Sequence, residues 1–202
     1  LLPARPLTAN KGTFGKALVV AGSTNYIGAA SLACLAAGRV GAGLVTLACP
    51  QSIYPIMAAK LVESTFLTLP DREGLLTAET THPVLQALAQ GYNALLVGPG
   101  LGQSAYVRAY MRQLLPALPE ALRADVIDAD GLNALAGADN WWEGLRTPTI
   151  VTPHPGEMSR LTELPVADIQ ADRLGVAVGQ AARWGVTVIL KGAHTVVAAP
   201  DG

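Results

Sequence analysis

Four side chains in this sequence have types and positions suited to chemistry: Asp128, Asp130, His154 and Lys191. Each comes within three residues of the end of a short apolar segment. Two neighbouring carboxylates can hold Mg²⁺ through water or bind ligand hydroxyls, and a lysine can meet a phosphate as a point charge. His154 stands between two prolines, which restrict the backbone on both sides of it. We interpret its side chain as one that contacts a ligand. The alternative is that Asp130 caps the next helix while Asp128 bonds to backbone.

Two glycine-bearing segments follow other apolar segments of the same kind. Residues 98–104 read Gly-Pro-Gly-Leu-Gly-Gln-Ser, and three glycines in five residues let a ligand approach the backbone because no Cβ intervenes. Residues 22–29 lead into an apolar helical pattern, whose first N–H groups can bind an anion. A tight turn with a helix cap, which would be Ser104 in the first case, remains the alternative for both segments.

The elements that must position these residues alternate regularly along the chain. The pattern predicts strands at residues 17–21, 44–48, 94–97, 126–127, 149–151 and 187–190. It predicts helices at residues 28–41, 51–59, 83–90, 104–115 and 166–184, and a closing hairpin strand at 195–199. This order is typical of a three-layer α/β/α sandwich with a mostly parallel central sheet, in which ligands bind at the carboxyl ends of the strands. Helix 28–41 is apolar on nearly every side, which predicts burial all round.

Composition excludes several other classes of protein. With 202 residues, 50% of them hydrophobic and 14% charged, the chain can bury a core and is not disordered. The chain has fourteen basic and fifteen acidic residues. No stripe of basic residues is visible that would bind the phosphate backbone of a nucleic acid. No apolar run reaches the roughly 18 residues that span a membrane. Cys34 and Cys49 lie in apolar surroundings, so we expect buried free thiols in a cytoplasmic protein, with a disulfide as the alternative.

Seven short motifs occur in an order that resembles a single family. They are Lys-Gly-Thr-Phe-Gly (11–15), Ala-Gly-Ser (21–23), Gly-Ala-Gly-Leu-Val-Thr (41–46), Gly-Pro-Gly-Leu-Gly (98–102), Asp-Ala-Asp (128–130), Thr-Pro-His-Pro-Gly-Glu (152–157) and Lys-Gly (191–192). The set resembles the ADP/ATP-dependent NAD(P)H-hydrate dehydratases, which have a ribokinase-like fold, over residues 11–202. Residues 1–10 resemble the linker after an upstream epimerase domain, as in a bifunctional repair enzyme.

The resemblance implies a lyase that repairs damaged dinucleotides. Its substrate is (S)-NADHX or (S)-NADPHX, the hydrated form of NADH or NADPH; the hydroxyl is phosphorylated from ADP or ATP with Mg²⁺, and phosphate is then lost. The implied substrate-binding positions are Gly28, Ala29, Gly100, Gly102, Asp128, His154, Gly156 and Glu157, and the implied nucleotide-binding positions are Lys191, Gly192, Ala193, His194 and Thr195. No metal ligand is assigned. The resemblance also implies a homo-oligomer, with a tetramer favoured.

One motif of the family does not occur in the sequence. Gly-Thr-Gly-Asp, whose amides hold the phosphate and whose aspartate is the general base, is absent from residues 1–202. We therefore assign no catalytic residue in this chain, place that aspartate beyond Gly202, and expect the chain alone to be inactive. Two alternatives stay open: a ribokinase-like kinase for a vitamin precursor or sugar, and a non-catalytic nucleotide-binding module.

Overall fold

Eight strands form a single sheet in the computed structural model, which describes residues 6–202. The strands are β1 (Lys16–Val20), β2 (Leu44–Pro50), β3 (Thr65–Leu69), β4 (Ala94–Val97), β5 (Ala124–Ile127), β6 (Thr149–Val151), β7 (Thr187–Leu190) and β8 (Val196–Ala198). Their order across the sheet is β3-β2-β1-β4-β5-β6-β7-β8. All neighbours are parallel except β7 and β8, which pair antiparallel as the predicted hairpin.

Helices cover the sheet because parallel strands are joined by crossover connections. They are α1 (Ile27–Val40), α2 (Tyr54–Lys60), α3 (Thr81–Leu88), α4 (Ala105–Leu114), α5 (Asp130–Leu135), α6 (Pro155–Thr162), α7 (Val166–Ala171) and α8 (Arg173–Trp184). Alternate residues of β1 enter two separate cores: Leu18 and Val20 pack in one with α3 to α8, and Val19 packs in the other with α1 and α2. The predicted three-layer α/β/α architecture is therefore confirmed.

The two faces of the sheet are covered to different extents. On the face that carries α1 and α2, the side chains of Leu96, Val126 and Ile150 lie in register on β4, β5 and β6 and are only partly buried. On the opposite face, neighbouring residues such as Ile127 and Val151 are fully buried. The helical layer over the first face is thus confined to β1, β2 and β3 within residues 6–202.

Several elements differ from the sequence prediction: β3, α5 and α6 were not in the predicted set, and α7 and α8 were predicted as one helix. The edge strand β3 was not predicted, because its sequence Thr-Phe-Leu-Thr-Leu mixes polar and apolar residues and gives no continuous apolar run. The single helix predicted at residues 166–184 is two helices. Asp172 leaves the helical region (φ −135°, ψ 67°) and caps α8 by accepting a hydrogen bond from Gly175 N at 2.8 Å. Other element ends agree within about two residues.

The first helix is predicted to be buried all round, between the sheet and a neighbouring subunit or under another helix, and residues 6–202 by themselves bury only one of its faces. Only Ala30 and Cys34 of α1 are fully buried, whereas Leu32 is 71% exposed and Val40 is 68% exposed. One face of an apolar helix packs on the sheet, and nothing in residues 6–202 covers its outer face. No helix of the described chain is long and apolar enough to cross a membrane.

The proposed linker at residues 1–10 is described only in part, because residues 1–5 lie outside the described residues. Residues 6–10 form a turn, in which Ala9 N donates to Pro6 O at 3.0 Å. Asn10 then caps the 3₁₀ helix Lys11–Phe14 by accepting from Gly12 N at 2.9 Å. The structure therefore joins this segment directly to the first element of the fold.

Candidate functional site

The strand order has a switch point between β1 and β4, because β2 and β3 lie on one side of β1 and the later strands lie on its other side. From β1 the chain moves outwards to β2 and β3, then returns to place β4 on the other side of β1. In open α/β sheets such a switch point opens a crevice at the carboxyl ends of the two strands, where ligands bind. The loops after β1 and β4 meet there, because Gly22 N donates to Pro99 O at 2.9 Å.

Gly100 allows these two loops to touch. Its backbone has φ +67°, and a Cβ built on it would lie 2.7 Å from Tyr26 Cβ and 2.9 Å from Ala29 Cβ. A side chain here would therefore both strain the backbone and push the loops apart. Gly28 and Ala29 lie in the first turn of α1 beside this contact, and Gly28 is exposed. The α1 N-terminus has no side-chain cap and no acidic residue in its first turn, so its N–H groups can receive an anion.

Asp130 connects the β4 loop to the β5 loop. Its Oδ2 accepts a hydrogen bond from Gly102 N at 2.9 Å, and its Oδ1 lies 3.3 Å from the amide nitrogens of Gln103 and Asn133. The alternative in which Asp130 caps the next helix is wrong, since Asp130 is the first residue of α5 and its carboxylate holds the glycine loop instead.

Asp128 bonds to groups at the ends of β6 and β7, which are not the partners of Asp130. The residue between them, Ala129, has φ +51°, a conformation that is costly for a residue other than glycine. Asp128 Oδ1 accepts hydrogen bonds from Thr152 Oγ1 and Lys191 Nζ, both at 2.7 Å. The two carboxylates therefore have different partners: Asp130 bonds to the β4 loop, and Asp128 bonds to groups that follow β6 and β7.

His154 is built into the start of α6. Its Nδ1 accepts hydrogen bonds from Gly156 N at 3.0 Å and Glu157 N at 3.2 Å, while Glu157 Oε2 accepts from His154 N at 2.8 Å. This reciprocal capping box fixes the ring at the carboxyl end of β6. The His154 side chain is half exposed, so a ligand can reach part of the ring, although its Nε2 lies 3.4 Å from Glu157 Oε1. Glu157 is buried and also lies 3.7 Å from Lys191 Nζ.

The implied nucleotide positions form the turn between β7 and β8. Lys191 is anchored at its start by donating its own N–H to Pro153 O at 2.8 Å, while Gly192, Ala193, His194 and Thr195 are exposed. Arg173, at the start of α8, hydrogen-bonds the backbone of this turn. Reading the sequence missed this arginine, because nothing in its spacing marks it as a partner of residues 17 or more positions away.

Contacts thus link the implied positions in a continuous series along one edge. Ala29 and Gly100 meet at the switch point, Gly102 is held from the β5 loop, and Lys191 bridges to Asp128 and Glu157.

The groups with strongly raised pKa values lie elsewhere. Burial raises the pKa of the Asp125 carboxyl in β5 and the pKa of the Tyr110 hydroxyl in α4.

The two cysteines are free and buried, as expected from the sequence. Burial is the main cause that raises the pKa of the Cys34 thiol to about 12 and that of the Cys49 thiol to about 11. Both thiols are therefore protonated at neutral pH and unreactive as nucleophiles.

The described residues do not by themselves form a Mg²⁺ site. Within residues 6–202, no three His, Cys, Asp or Glu side chains converge as metal ligands. The carboxylates of Asp128 and Glu157 instead flank the ammonium group of Lys191, at 2.7 and 3.7 Å. A lysine thus occupies the place where these two side chains could have met a cation.

Comparison with known proteins identifies relatives over nearly the whole chain. A family model described as NAD(P)H-hydrate dehydratase matches residues 17–202. A bifunctional NAD(P)H-hydrate repair enzyme of Moorella thermoacetica is 41% identical over 202 residues, which are 100% of this chain and 37% of that protein. The ADP-dependent (S)-NAD(P)H-hydrate dehydratase of Bacillus subtilis is 35% identical over 204 residues, which are 100% of this chain and 66% of that protein.

Solved structures have the same fold. The ADP/ATP-dependent NAD(P)H-hydrate dehydratase from Bacillus subtilis, co-crystallised with ATP/Mg²⁺, matches with a TM-score of 0.79 and 33% identity, over 100% of this chain and 66% of that one. A ribokinase-like superfamily protein from Enterococcus faecalis matches with a TM-score of 0.79 at 24% identity, which shows the fold alone. The chain therefore has a ribokinase-like fold, and it spans 37% of the bifunctional relative from Moorella thermoacetica.

Proposed function

Because this chain belongs to the NAD(P)H-hydrate dehydratase family, we propose that the protein containing it converts (S)-NADHX and (S)-NADPHX to NADH and NADPH at the carboxyl edge of the sheet. The observation that carries this proposal is the continuous series of contacts at that edge. It runs from the switch point through Gly102 and Asp130 to the pair formed by Asp128 and Lys191. An extended site is needed because two ligands must bind together. One is a long dinucleotide that carries the reacting hydroxyl, and the other is the phosphate donor.

The switch-point end is proposed to bind the hydrated dinucleotide. The uncapped start of α1 can bind a pyrophosphate. Gly100 and Gly102 are buried and shape the loop beside it, because a Cβ on Gly100 would meet Tyr26 Cβ at 2.7 Å and a Cβ on Gly102 would meet Leu75 Cδ2 at 3.0 Å. His154 presents the exposed half of its ring at the next loop along the sheet, where the ring can stack on the substrate while its Nε2 lies 3.4 Å from Glu157 Oε1. Gly156 and Glu157 support this ring through the capping box.

The other end, at the turn of residues 191–195, is proposed to bind ADP or ATP. Phosphoryl transfer depends mainly on positioning and on neutralising charge, and the Lys191 ammonium and the turn amides supply both. The substrate hydroxyl oxygen bonds to the terminal phosphorus of the donor and loses its proton to a general base. The bond from that phosphorus to the bridging oxygen breaks, and AMP leaves when ADP is the donor, or ADP when ATP is the donor. The carbon–oxygen bond then breaks, phosphate leaves with the bonding electrons, and loss of the neighbouring ring proton restores the double bond.

No described side chain is assigned as that base. The Asp128 carboxylate is held by Thr152 and Lys191, and the Glu157 carboxylate is buried and accepts from His154 N. The proposal therefore keeps the expectation of a Gly-Thr-Gly-Asp aspartate from the part of the protein outside these 202 residues. Mg²⁺ is proposed to arrive on the phosphates of the donor, where it needs few or no protein carboxylates.

Three further expectations remain part of the proposal. Residues 11–202 are taken as most of a dehydratase domain, and the partly buried face at Leu96, Val126 and Ile150 supports a further layer from outside this chain. The free thiols of Cys34 and Cys49 support a reducing, cytoplasmic location. The exposed apolar face of α1 supports a homo-oligomer, for which a tetramer is expected.

The test is recovery of absorbance at 340 nm when hydrated NADH is incubated with the full-length protein, ADP or ATP, and Mg²⁺. We expect recovery that requires the nucleotide, and none from the 202-residue chain alone. Phosphorylation of a hydroxymethylpyrimidine or a sugar without any recovery at 340 nm would favour the kinase alternative. Nucleotide binding without either reaction would favour a binding module.

A further inference from the structure

The guanidinium group of Arg173 holds the main chain of the 191–195 turn from one side. Its Nη2 lies 2.9 Å from Leu190 O, 3.1 Å from Lys191 O and 3.2 Å from His194 O, and its Nε lies 3.3 Å from His194 O. A further carbonyl of the turn, Gly192 O, accepts from Thr195 Oγ1 at 3.0 Å. Carbonyl groups at both ends of the turn are therefore directed towards the same arginine.

The amide groups of the same turn have no such partners. Among the hydrogen bonds of residues 6–202, none is donated by the backbone N–H of Gly192, Ala193 or His194. All three residues are exposed. Successive N–H groups without partners at an exposed turn are the donors that an anion such as a phosphate uses. Fixing the carbonyls on the arginine thus leaves the amides for a ligand.

The charge of Arg173 also favours an anion at this turn. In the described chain no carboxylate lies within 4.0 Å of its guanidinium, whose other partner is the neutral side chain of Gln170 at 2.8 Å. An arginine remains charged at all physiological pH values. Its unpaired positive charge therefore adds to that of Lys191, which is partly balanced by Asp128.

The local structure explains why an arginine at this position reaches the turn. The chain break at Asp172 ends α7 and starts α8, so Arg173 is the first residue of α8. Gly192 leaves room for the guanidinium, since a Cβ on Gly192 would lie 2.7 Å from Nη2 and 3.0 Å from Cζ of Arg173. The helix break and the glycine, 20 positions apart, together create this contact.

From these contacts we propose that Arg173 is a positioning residue for the diphosphate of the nucleoside donor. It acts through the turn, by holding the carbonyls of Leu190, Lys191 and His194 so that the amides of Gly192, Ala193 and His194 face the phosphates. The inference rests on the proposed function in one respect only, namely that the ligand of the turn is the ADP or ATP donor. A planar fork that donates several hydrogen bonds at once is required, so a lysine at position 173 cannot replace it.

Three variants of the full-length protein test this role. Arg173→Met keeps the apolar stem but removes the donors, Arg173→Lys keeps the charge but not the fork, and Arg183→Met is the matched control. Arg183 belongs to the same helix and stacks on Trp142, with Cζ 5.1 Å from the ring centre, away from the turn. Binding of ADP and of ATP is measured by calorimetry without substrate, and KM is measured separately for the donor and for hydrated NADH.

We expect Arg173→Met and Arg173→Lys to weaken ADP binding and raise the donor KM by about 10- to 100-fold, with the KM for hydrated NADH within about twofold of wild type. Arg183→Met should leave both constants unchanged. In a fourth variant, Arg173→Ala, free guanidinium ion should partly restore ADP binding, which a general loss of stability would not allow. Melting temperatures show whether each variant is folded.

Two results would overturn the inference. Wild-type affinity for ADP in folded Arg173→Met would show that the turn needs no support from the arginine. Full affinity in Arg173→Lys would show that charge alone is sufficient and that the fork has no role. A wild-type protein that binds neither ADP nor ATP would instead reject the proposed donor site, and the role of Arg173 with it.

Discussion

Lys191 Nζ lies 2.7 Å from Asp128 Oδ1, although the two residues are 63 positions apart and follow different strands. The bond crosses the end of β6, whose own loop contributes Thr152 to the same carboxylate oxygen at 2.7 Å. Three consecutive strand ends are thus joined at one oxygen atom. This bond orients the ammonium group beside the turn that is proposed to bind the donor. Lys191 is therefore the first residue to substitute in a test of the donor site.

Replacing Lys191 by Met should weaken donor binding. The substitution removes the ammonium group but keeps most of the apolar side chain, so we expect the KM for ADP or ATP to rise by about 10- to 100-fold, as for other charge-assisted phosphate contacts. Donor titrations at saturating hydrated NADH measure this change. Lys60→Met, at an exposed position at the end of α2, is the control and should have no effect. Equal KM values for the two variants would remove Lys191 from the donor site.

Gly100→Ala should disrupt the switch point. A new Cβ would lie 2.7 Å from Tyr26 Cβ, so the β1 and β4 loops must separate. We expect the KM for hydrated NADH to rise at least tenfold and the melting temperature to fall by several degrees. Gly91→Ala is a matched control, because Gly91 also has a positive φ (+85°) but nothing lies within 4 Å of its Cβ position.

Comparing these two glycine variants separates backbone strain from steric conflict. Both variants place alanine in a left-handed conformation, which costs about 1–2 kcal/mol. Only Gly100→Ala should affect substrate binding. A similar KM for hydrated NADH in both variants would contradict a substrate role for the contact between the two loops.

Two substitutions of His154 should separate its capping role from its ligand role. An asparagine can accept the same hydrogen bonds from Gly156 N and Glu157 N, whereas an alanine cannot. We expect His154→Ala to lose about 1 kcal/mol of stability and His154→Asn to lose less. Both should raise the KM for hydrated NADH because the exposed ring edge is lost. Urea unfolding and substrate titration provide the two measurements.

The stability and the substrate affinity of His154→Asn decide between the capping role and the ligand role. Wild-type kinetics in this variant would mean that His154 serves only to start α6. Loss of substrate affinity with near-wild-type stability would assign the imidazole to the ligand.

Replacing Asp125 by Asn should change how stability depends on pH. Burial raises the pKa of the Asp125 carboxyl above its ordinary value of 3.8, although Thr147 and Thr149 donate hydrogen bonds that oppose the shift. Above about pH 4 the unfolded chain therefore releases this proton more readily than the folded protein does, so the free energy of unfolding falls as pH rises through the folded pKa.

Asparagine cannot ionise, and its oxygen can accept from the same two threonines. We therefore expect Asp125→Asn to raise the urea midpoint at neutral pH and to remove the Asp125 contribution to the fall in stability above pH 4. Unfolding curves between pH 4 and 8 test this expectation, with the exposed Asp139→Asn as control. A variant less stable than wild type at pH 7 would show that the folded protein needs the Asp125 carboxylate in its charged form.

Reading the sequence was most successful for strands inside the sheet, in which every residue is buried or partly buried. The segments Ala94–Val97, Thr149–Val151 and Thr187–Leu190 were predicted with the bounds they have in the structure. Their continuous apolar runs are determined by burial, which acts on each residue locally. The edge strand Thr65–Leu69 has one unpaired side and accepts polar residues, so its sequence lacks that signal.

The errors at the site have a different cause. Asp130 has the sequence position of a helix cap, but its carboxylate accepts from Gly102 N, 28 positions earlier. Arg173 lies in what reads as the middle of one long helical pattern, yet a break at Asp172 places it at a helix start facing the 191–195 turn. Both roles depend on partners that only the folded chain brings near.

The sequence by itself determined the alternation of strands and helices and the kinds of residue that follow each strand, because hydrophobic period and turn chemistry are local properties of the chain. Only the tertiary structure decided the order of the strands, and with it the switch point between β1 and β4 and the convergence of Asp128, Thr152 and Lys191. Long-range pairing depends on how complementary surfaces pack across the whole molecule, and no short stretch of sequence contains that information.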